Sequence, residues 1–194
     1  METLALLGTA LGLASLSGIN LYLTVMLTGL AVRFNLLDLA DRYQGLAVFG
    51  NEWIIGLAVL LYAIEFVADK IPWVDSLWDT VHTVIRPVGG AVLALAALGH
   101  MDPTLTVAAA LLFGGVSLST HSAKATVRGA LNLSPEPVSN GVASLAEDGL
   151  VLAGFALSAL LPAVAFFVFL ALVIAALAIT RKLLGWVRKR KTEA

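Results

Sequence analysis

A phrase that occurs twice constrains this chain more than any other feature. Ser15-Leu16-Ser17 is followed by Thr24-Val25, and Ser117-Leu118-Ser119 is followed at the same distance by Thr126-Val127. Gly12 and Gly114 precede the two copies at the same offset, and the copies lie 102 positions apart in 194 residues. Each copy interrupts a long apolar run with small polar side chains. Matching interruptions in the two halves of an apolar chain point to a duplicated fold with a binding site where the halves meet.

The medium is set by composition. The chain is 59% hydrophobic and only 13% charged, whereas a soluble domain is about half apolar and roughly a quarter charged. An all-α polytopic membrane protein follows. With no cysteine, disulfides, thiol chemistry and thiolate-bound zinc are excluded. Three scattered histidines give no metal cluster, and G-x-S-x-G, H-E-x-x-H and the phosphate-binding loop are all missing, so no catalytic residue, metal or cofactor is expected. Met1-Glu2-Thr3 carries no positive region, so the first apolar segment is expected to stay in place. Arg181, Lys182, Arg188, Lys189, Arg190 and Lys191 cluster directly after a long apolar helix. There they read as a cytoplasmic anchor obeying the positive-inside rule, not as a nucleic-acid patch.

About six transmembrane segments are expected. Segment one runs from Leu4 to Phe34, longer than the hydrocarbon core requires, with Ser15, Ser17, Gly18 and Asn20 breaking its middle. Leu36 to Gly50 reads as a loop. Segment two runs from Trp53 to Ala68. Asp75, Asp79 and His82 between Ile71 and Ile85, and then Arg86, share one helical face, with Trp73 and Trp78 beside them, and this stretch is expected to be an interfacial amphipathic helix. Segment three runs from Val88 to Leu98. Segment four, Leu105 to Leu131, turns polar after Ser117, and Asn132 to Asn140 is a proline-containing loop. Segment five runs from Val142 to Leu161. Segment six, Ala163 to Ile179, has no polar residue and is the candidate for full lipid exposure.

Two three-segment repeats result, residues 1–98 and 104–184, each opening with an interrupted or re-entrant helix, followed by a basic cytoplasmic tail at 185–194. An odd count per repeat inserts the second copy upside down, an arrangement common in secondary transporters. If segments one and four are instead re-entrant hairpins, the repeats are parallel. Charge bias does not choose, since one topology puts Arg33 and Arg42 outside and the other Lys70 and Arg86.

His121, Lys124 and Arg128 lie at i, i+3 and i+7 and share a helical face. Such cations at membrane depth must face protein, water or an anion. Arg128 is suited to grip a carboxylate or phosphate in two places, Lys124 to act as a point charge, and His121 to donate or carry a proton. Snorkelling to the interface is the alternative for the two longer side chains. Glu65 with Asp69, and Glu147 with Asp148, are intramembrane carboxylates suited to proton or ion coupling, or to structural pairing with Lys124 or Arg128. Asn20, Ser17 and Ser119 would supply polar contacts at the two breaks. Gly8 and Gly12 form a small-residue ridge for close helix packing.

Ser17-Gly18-Ile19-Asn20, Ala68-Asp69-Lys70-Ile71-Pro72, the run from His82 to Pro87, His121-Ser122-Ala123-Lys124-Ala125 and Ser134-Pro135-Glu136-Pro137 through Ser139-Asn140 together resemble a group of bacterial integral membrane proteins, the domain of unknown function 4126 family. The resemblance implies a multi-pass protein of the bacterial inner (plasma) membrane and brings no substrate. It also implies that His121, Lys124, the Ser134 to Asn140 loop and Glu147-Asp148 belong to the family pattern. The leading expectation is a small secondary transporter or flippase for an anionic solute or lipid phosphate, with proton coupling through the carboxylates. A non-transporting scaffold or assembly subunit, and a lipid-modifying enzyme using Asp75, Asp79 and His82, are the alternatives. The expected partners are the lipid bilayer and the anion, without nucleic acid. So short a chain makes a thin wall around a path, which suits a homodimer.

Overall fold

The computed structural model describes residues 2–131 and 137–192, and all regular structure among them is helical. In order these are α1 (Glu2–Ile19), α2 (Leu21–Arg33), a tight turn Leu36–Asp38, α3 (Leu39–Arg42), a second tight turn Gln44–Gly50, α4 (Glu52–Ala68), α5 (Pro72–Leu98), α6 (Pro103–Leu131), α7 (Pro137–Leu160) and α8 (Pro162–Thr192). Five helices are long and apolar enough to cross a membrane, or up to seven if each of two bent pairs counts as one span. The chain is therefore membrane-embedded. Residues 132–136 of the expected loop, and the side chains of the basic tail at 185–194, lie outside the described residues.

α1 is the central post of the bundle. Every residue from Gly8 to Ile19 is buried, and the helix packs on α5, α6 and α8. A helix that is apolar all round can be buried all round, and small residues let its neighbours approach. A Cβ at Gly8 would collide with the Pro162 carbonyl, and one at Gly12 with Ser158 Oγ and the Phe169 ring. The glycine ridge thus packs as expected. It also corrects the lipid exposure expected of the last span. Ala165, Phe169, Val173 and Ala176 form a buried stripe along α8 while Phe167, Leu170 and Ile174 stay exposed. A segment without polar residues has no intrinsic lipid side, and the glycines of α1 decide which face is covered.

The first expected interruption is present: Asn20 is extended and separates α1 from α2. The second is not, since Ser117-Leu118-Ser119 lies inside an unbroken α6. Ser119 and Ser122 donate their hydroxyls to the carbonyls of Gly115 and Leu118, four residues back, at 2.7 Å each. These back-bonds satisfy the serines within the helix instead of ending it.

Two further expectations are corrected. Ile71 to Leu98 is not an interfacial helix followed by a span. Apart from Ile71 it is one helix, α5, with Pro87 inside, and Asp75, Asp79, His82 and Arg86 are buried. Their stripe faces α6, which carries cations of its own. The supposed loop before Gly50 is a set of helical turns that sends Leu39, Tyr43, Leu46 and Phe49 into the core.

Candidate functional site

The site grows from the break at Asn20. Helical bonding persists through the backbone of Asn20, whose N–H reaches the Leu16 carbonyl at 2.9 Å and whose carbonyl accepts from Thr24 N at 3.2 Å. Leu23 N, however, bonds the Asn20 side-chain oxygen at 3.0 Å. Asn20 therefore caps α2, and the Ile19 carbonyl is released from the helix. Lys124 Nζ donates to it at 3.1 Å, and Arg86 Nη1 donates to the Gly18 carbonyl at 3.3 Å. The carbonyl end of a helix carries partial negative charge, so the end of α1 is where cations belong.

Those cations are held by carboxylates from three other helices. Arg86 of α5 pairs with Glu65 of α4 at 2.5 Å, both with fully buried side chains, and with Asp79 at 3.4 Å. Lys124 of α6 lies 3.6 Å from Glu65, 3.7 Å from Asp69 and 3.3 Å from Glu147. Arg128 grips Glu147 in two places, Nε to Oε1 at 2.9 Å and Nη2 to Oε2 at 2.8 Å, and reaches Asp69 Oδ2 at 3.1 Å. Its Nη1 donates to the carbonyls of Asp69 and Asn140 at 3.2 Å each. Asp148 sits to one side, accepting from Tyr62 Oη at 2.8 Å and from Asn20 Nδ2 at 3.0 Å.

Hydrogen-bond logic fixes both histidine tautomers. Arginine only donates, so His121 Nδ1, 2.8 Å from Arg86 Nη1, accepts. His121 Nε2–H then donates to the Asp79 carbonyl at 3.1 Å. His82 Nδ1 must donate to the Trp78 carbonyl at 2.7 Å, which leaves Nε2 to accept from Tyr22 Oη at 2.9 Å. With Nδ1 accepting, the His121 ring is neutral. His121 links the Arg86 side chain to the Asp79 backbone of the same helix and adds no positive charge.

The structure brings most of the sequence-derived residues together. His121, Lys124, Arg128, Glu65, Asp69 and Glu147 form one network, and Asn20 with Asp148 forms its flank. Ser17 is buried, but its hydroxyl is spent on the Leu13 carbonyl at 2.7 Å. Ser119 is turned off the buried face of α6, which carries Ser117, Thr120, His121, Lys124 and Arg128. Ser117 and Thr120 make the contacts expected of Ser119. Ser117 Oγ donates to the Arg86 carbonyl at 2.9 Å and Thr120 Oγ1 to the Ser15 carbonyl at 2.9 Å. Arg86 and Asp79 are visible in the sequence as a helical stripe, but their pattern with flanking tryptophans points to the membrane surface and not to this centre. Lys70 stays outside the network, with Nζ 2.7 Å from the Phe66 carbonyl and over its ring. Desolvation there lowers its pKa from the usual lysine value.

Two cavities approach the network on different sides of α6. A cleft of about 280 Å³, lined by residues of α6, α7 and α8, reaches Ile19 at the break, Thr120 next to Ser119, and Lys124 and Glu147. A polar cavity of about 270 Å³ is lined by Asp75, Asp79, Thr83 and Arg128. No group of three or more His, Asp or Glu among the described residues has a geometry that could hold a metal ion.

The chain matches the model of the family described as domain of unknown function (DUF4126) over residues 7–182. No curated protein and no solved structure matches it. The matched stretch includes every residue of the network, and the chain belongs to this family.

Proposed function

We propose that this member of the DUF4126 family is a small secondary carrier or flippase that takes up an anionic solute or lipid phosphate together with protons. The observation that carries the proposal is a charge imbalance. Among the described residues, Glu65, Asp69, Asp79, Glu147 and Asp148 are buried or nearly so around this centre, against Arg86, Lys124 and Arg128. Burying uncompensated charge is costly, and His121, which accepts from Arg86, does not make up the shortfall. An anion arriving at Lys124 and Arg128 must displace Glu147, and it adds negative charge to a centre already rich in it. Glu147 and its neighbours therefore take up protons as the anion binds, and coupling follows from electroneutrality. The cavities on both sides of α6 give such a centre access, and the freed carbonyls of α1 are the kind of half-helix end that transporters use at their sites.

The two three-segment repeats would meet at this network. By the positive-inside rule the basic end of α8, and with it the end of the bundle that holds Glu147 and Arg128, faces the cytoplasm.

One feature favours a scaffold instead: all three cations are already paired with carboxylates of the same chain. Buried pairs of this kind also specify helix packing. Two measurements on purified protein separate the proposals. The first is a thermal-shift panel of phosphates, carboxylates, polyprenyl phosphates and anionic lipids, run beside Lys124→Met, Arg128→Gln. The second is proton uptake on mixing with any anion that stabilises the protein. A carrier predicts a stabilising anion, loss of that shift in the variant, and proton uptake that falls in Glu147→Gln. A scaffold predicts no stabilising anion and a variant that is merely less stable. Anion binding without proton uptake would remove the coupling and leave a uniporter.

A further inference from the structure

The cleft beside α6 carries more information than its contact with Lys124. It is bounded by Ile19, Val127, Leu150, Leu172 and Ile179, and the small side chains of Ala123 and Ala175 leave it open. Among the described residues its charged lining is Lys124 and Glu147. Water is a poor occupant of most of it, because an ordered water needs two to four polar partners and the walls away from Thr120, Lys124 and Glu147 offer none. A small hydrated anion is a poor occupant for the same reason, since it would lose solvent along the apolar walls and regain bonds only at one end.

Glu147 differs from the other acids on Lys124. Its side chain is 16% exposed, against 0% for Glu65 and 3% for Asp69. It is therefore the carboxylate that can leave. Its two-pronged bond to Arg128 has the geometry by which arginine binds a carboxylate or a phosphate of any origin. A volume of about 280 Å³ lies just below the usual span of ligand sites, roughly 300–1,000 Å³, and suits one hydrocarbon chain better than two.

We infer that the cleft between α6, α7 and α8 seats a single-chain amphiphile with an anionic head, drawn from the bilayer, and that Glu147 occupies the place of that head on Lys124 and Arg128. The assignment rests on the carrier proposal for the transport step after binding, and it narrows the ligand to a lipid-like anion.

The experiment uses the full chain in phosphatidylcholine nanodiscs, titrated with n-decyl phosphate, inorganic phosphate and n-decyl maltoside. Ala175→Phe fills the cleft. Ala178→Phe, on the exposed side of α8, is the control for an added ring. The expected result is saturable binding of n-decyl phosphate, about tenfold or more tighter than either comparison compound, equivalent to about 1.4 kcal/mol. That binding weakens in Ala175→Phe, is unchanged in Ala178→Phe and strengthens in Glu147→Gln. Equal binding of n-decyl maltoside would overturn the inference, because the head would then play no part. Equal binding of inorganic phosphate with no effect of Ala175→Phe would also overturn it, while leaving a carrier of soluble anions intact. Failure of both anions to bind would remove the cleft assignment, and proton uptake with the wider panel would then decide the carrier on its own.

Discussion

At Asn20 the chain leaves the helix, and at Ser122, 102 positions on, it does not. The difference lies in how each side chain uses the backbone around it. The Asn20 amide oxygen takes Leu23 N, so a new helix starts there, and its amide nitrogen donates to Asp148. Ser122 has only a hydroxyl, which it returns to the Leu118 carbonyl. The broken copy consequently presents backbone acceptors, the carbonyls of Gly18 and Ile19. The continuous copy presents donors on long side chains. The two copies meet where Gly18 lies against Thr120 and the Ser117 carbonyl. The two occurrences of the phrase thus carry complementary surfaces, one of backbone acceptors and one of cations, and the network depends on the difference between them.

The largest expected effect comes from removing the residue that joins the two surfaces. Arg86 donates to the Gly18 carbonyl of the first copy, and its own carbonyl accepts from Ser117 of the second. Arg86→Met would leave Glu65 buried without its closest partner, and breaking a buried pair on one side costs about 3–5 kcal/mol. Glu65→Gln, Arg86→Met together should regain more than half of that loss in reversible unfolding measured in mixed micelles. A double variant no more stable than Arg86→Met would mean that Arg86 serves the carbonyls of α1 and not the carboxylate.

Next in size is Gly18→Ala, which drives the two copies apart. Its Cβ would strike Thr120 Oγ1 and the Ser117 carbonyl. Overpacking of this kind costs about 1–3 kcal/mol. Thr120→Ala in the same chain should recover only part of it, because the Ser117 carbonyl is backbone and cannot rotate away. Full recovery would locate the tight contact at the hydroxyl alone.

Much of this was legible in the sequence because it is local. A break near Asn20 follows from a residue whose side chain competes for backbone N–H groups. The grouping of His121, Lys124 and Arg128 follows from helical spacing. What was not legible depends on direction or on partners. Periodicity places Asp75, Asp79, His82 and Arg86 on one face without saying whether that face meets water or α6. The serines of the second phrase look like an interruption by composition, yet serine hydroxyls are equally satisfied by carbonyls of their own helix. The pairing of Lys124 with Glu65, and of Arg128 with Asp69 and Glu147, joins residues from different helices, and no local spacing encodes it.

A smaller change tests whether Asn20 alone makes the first copy break. Asn20→Ala leaves no side chain to compete for the backbone N–H groups. Loss of the cap is expected to cost about 1 kcal/mol. The bond to Asp148 is lost with it. Hydrogen exchange should then show the Leu23 amide no less protected than before, because a healed helix would return it to the Ile19 carbonyl. The Lys124 bond to that carbonyl would be lost in exchange. A Leu23 amide that becomes unprotected would mean that the neighbouring Gly18, and not Asn20, keeps the chain open.

The smallest expected effect separates two serines that the sequence treats alike. Ser117 and Ser119 bracket one leucine, but only Ser117 reaches across to another helix, through the Arg86 carbonyl. Ser119 Oγ returns to Gly115 on its own helix and is partly exposed. Removing a buried hydroxyl that pairs with a carbonyl costs about 0.5–1.5 kcal/mol net, and the Arg86 carbonyl would lose that partner. Ser119→Ala removes only a local back-bond and should stay within about 0.5 kcal/mol of the parent, as surface changes do. Parallel unfolding of the two variants therefore reads out which face of the second phrase meets the first. If Ser119→Ala proved the costlier, the buried face of α6 would have to be turned by about one residue. Thr120, His121, Lys124 and Arg128 would turn with it, and the network around Asn20 could not form as described.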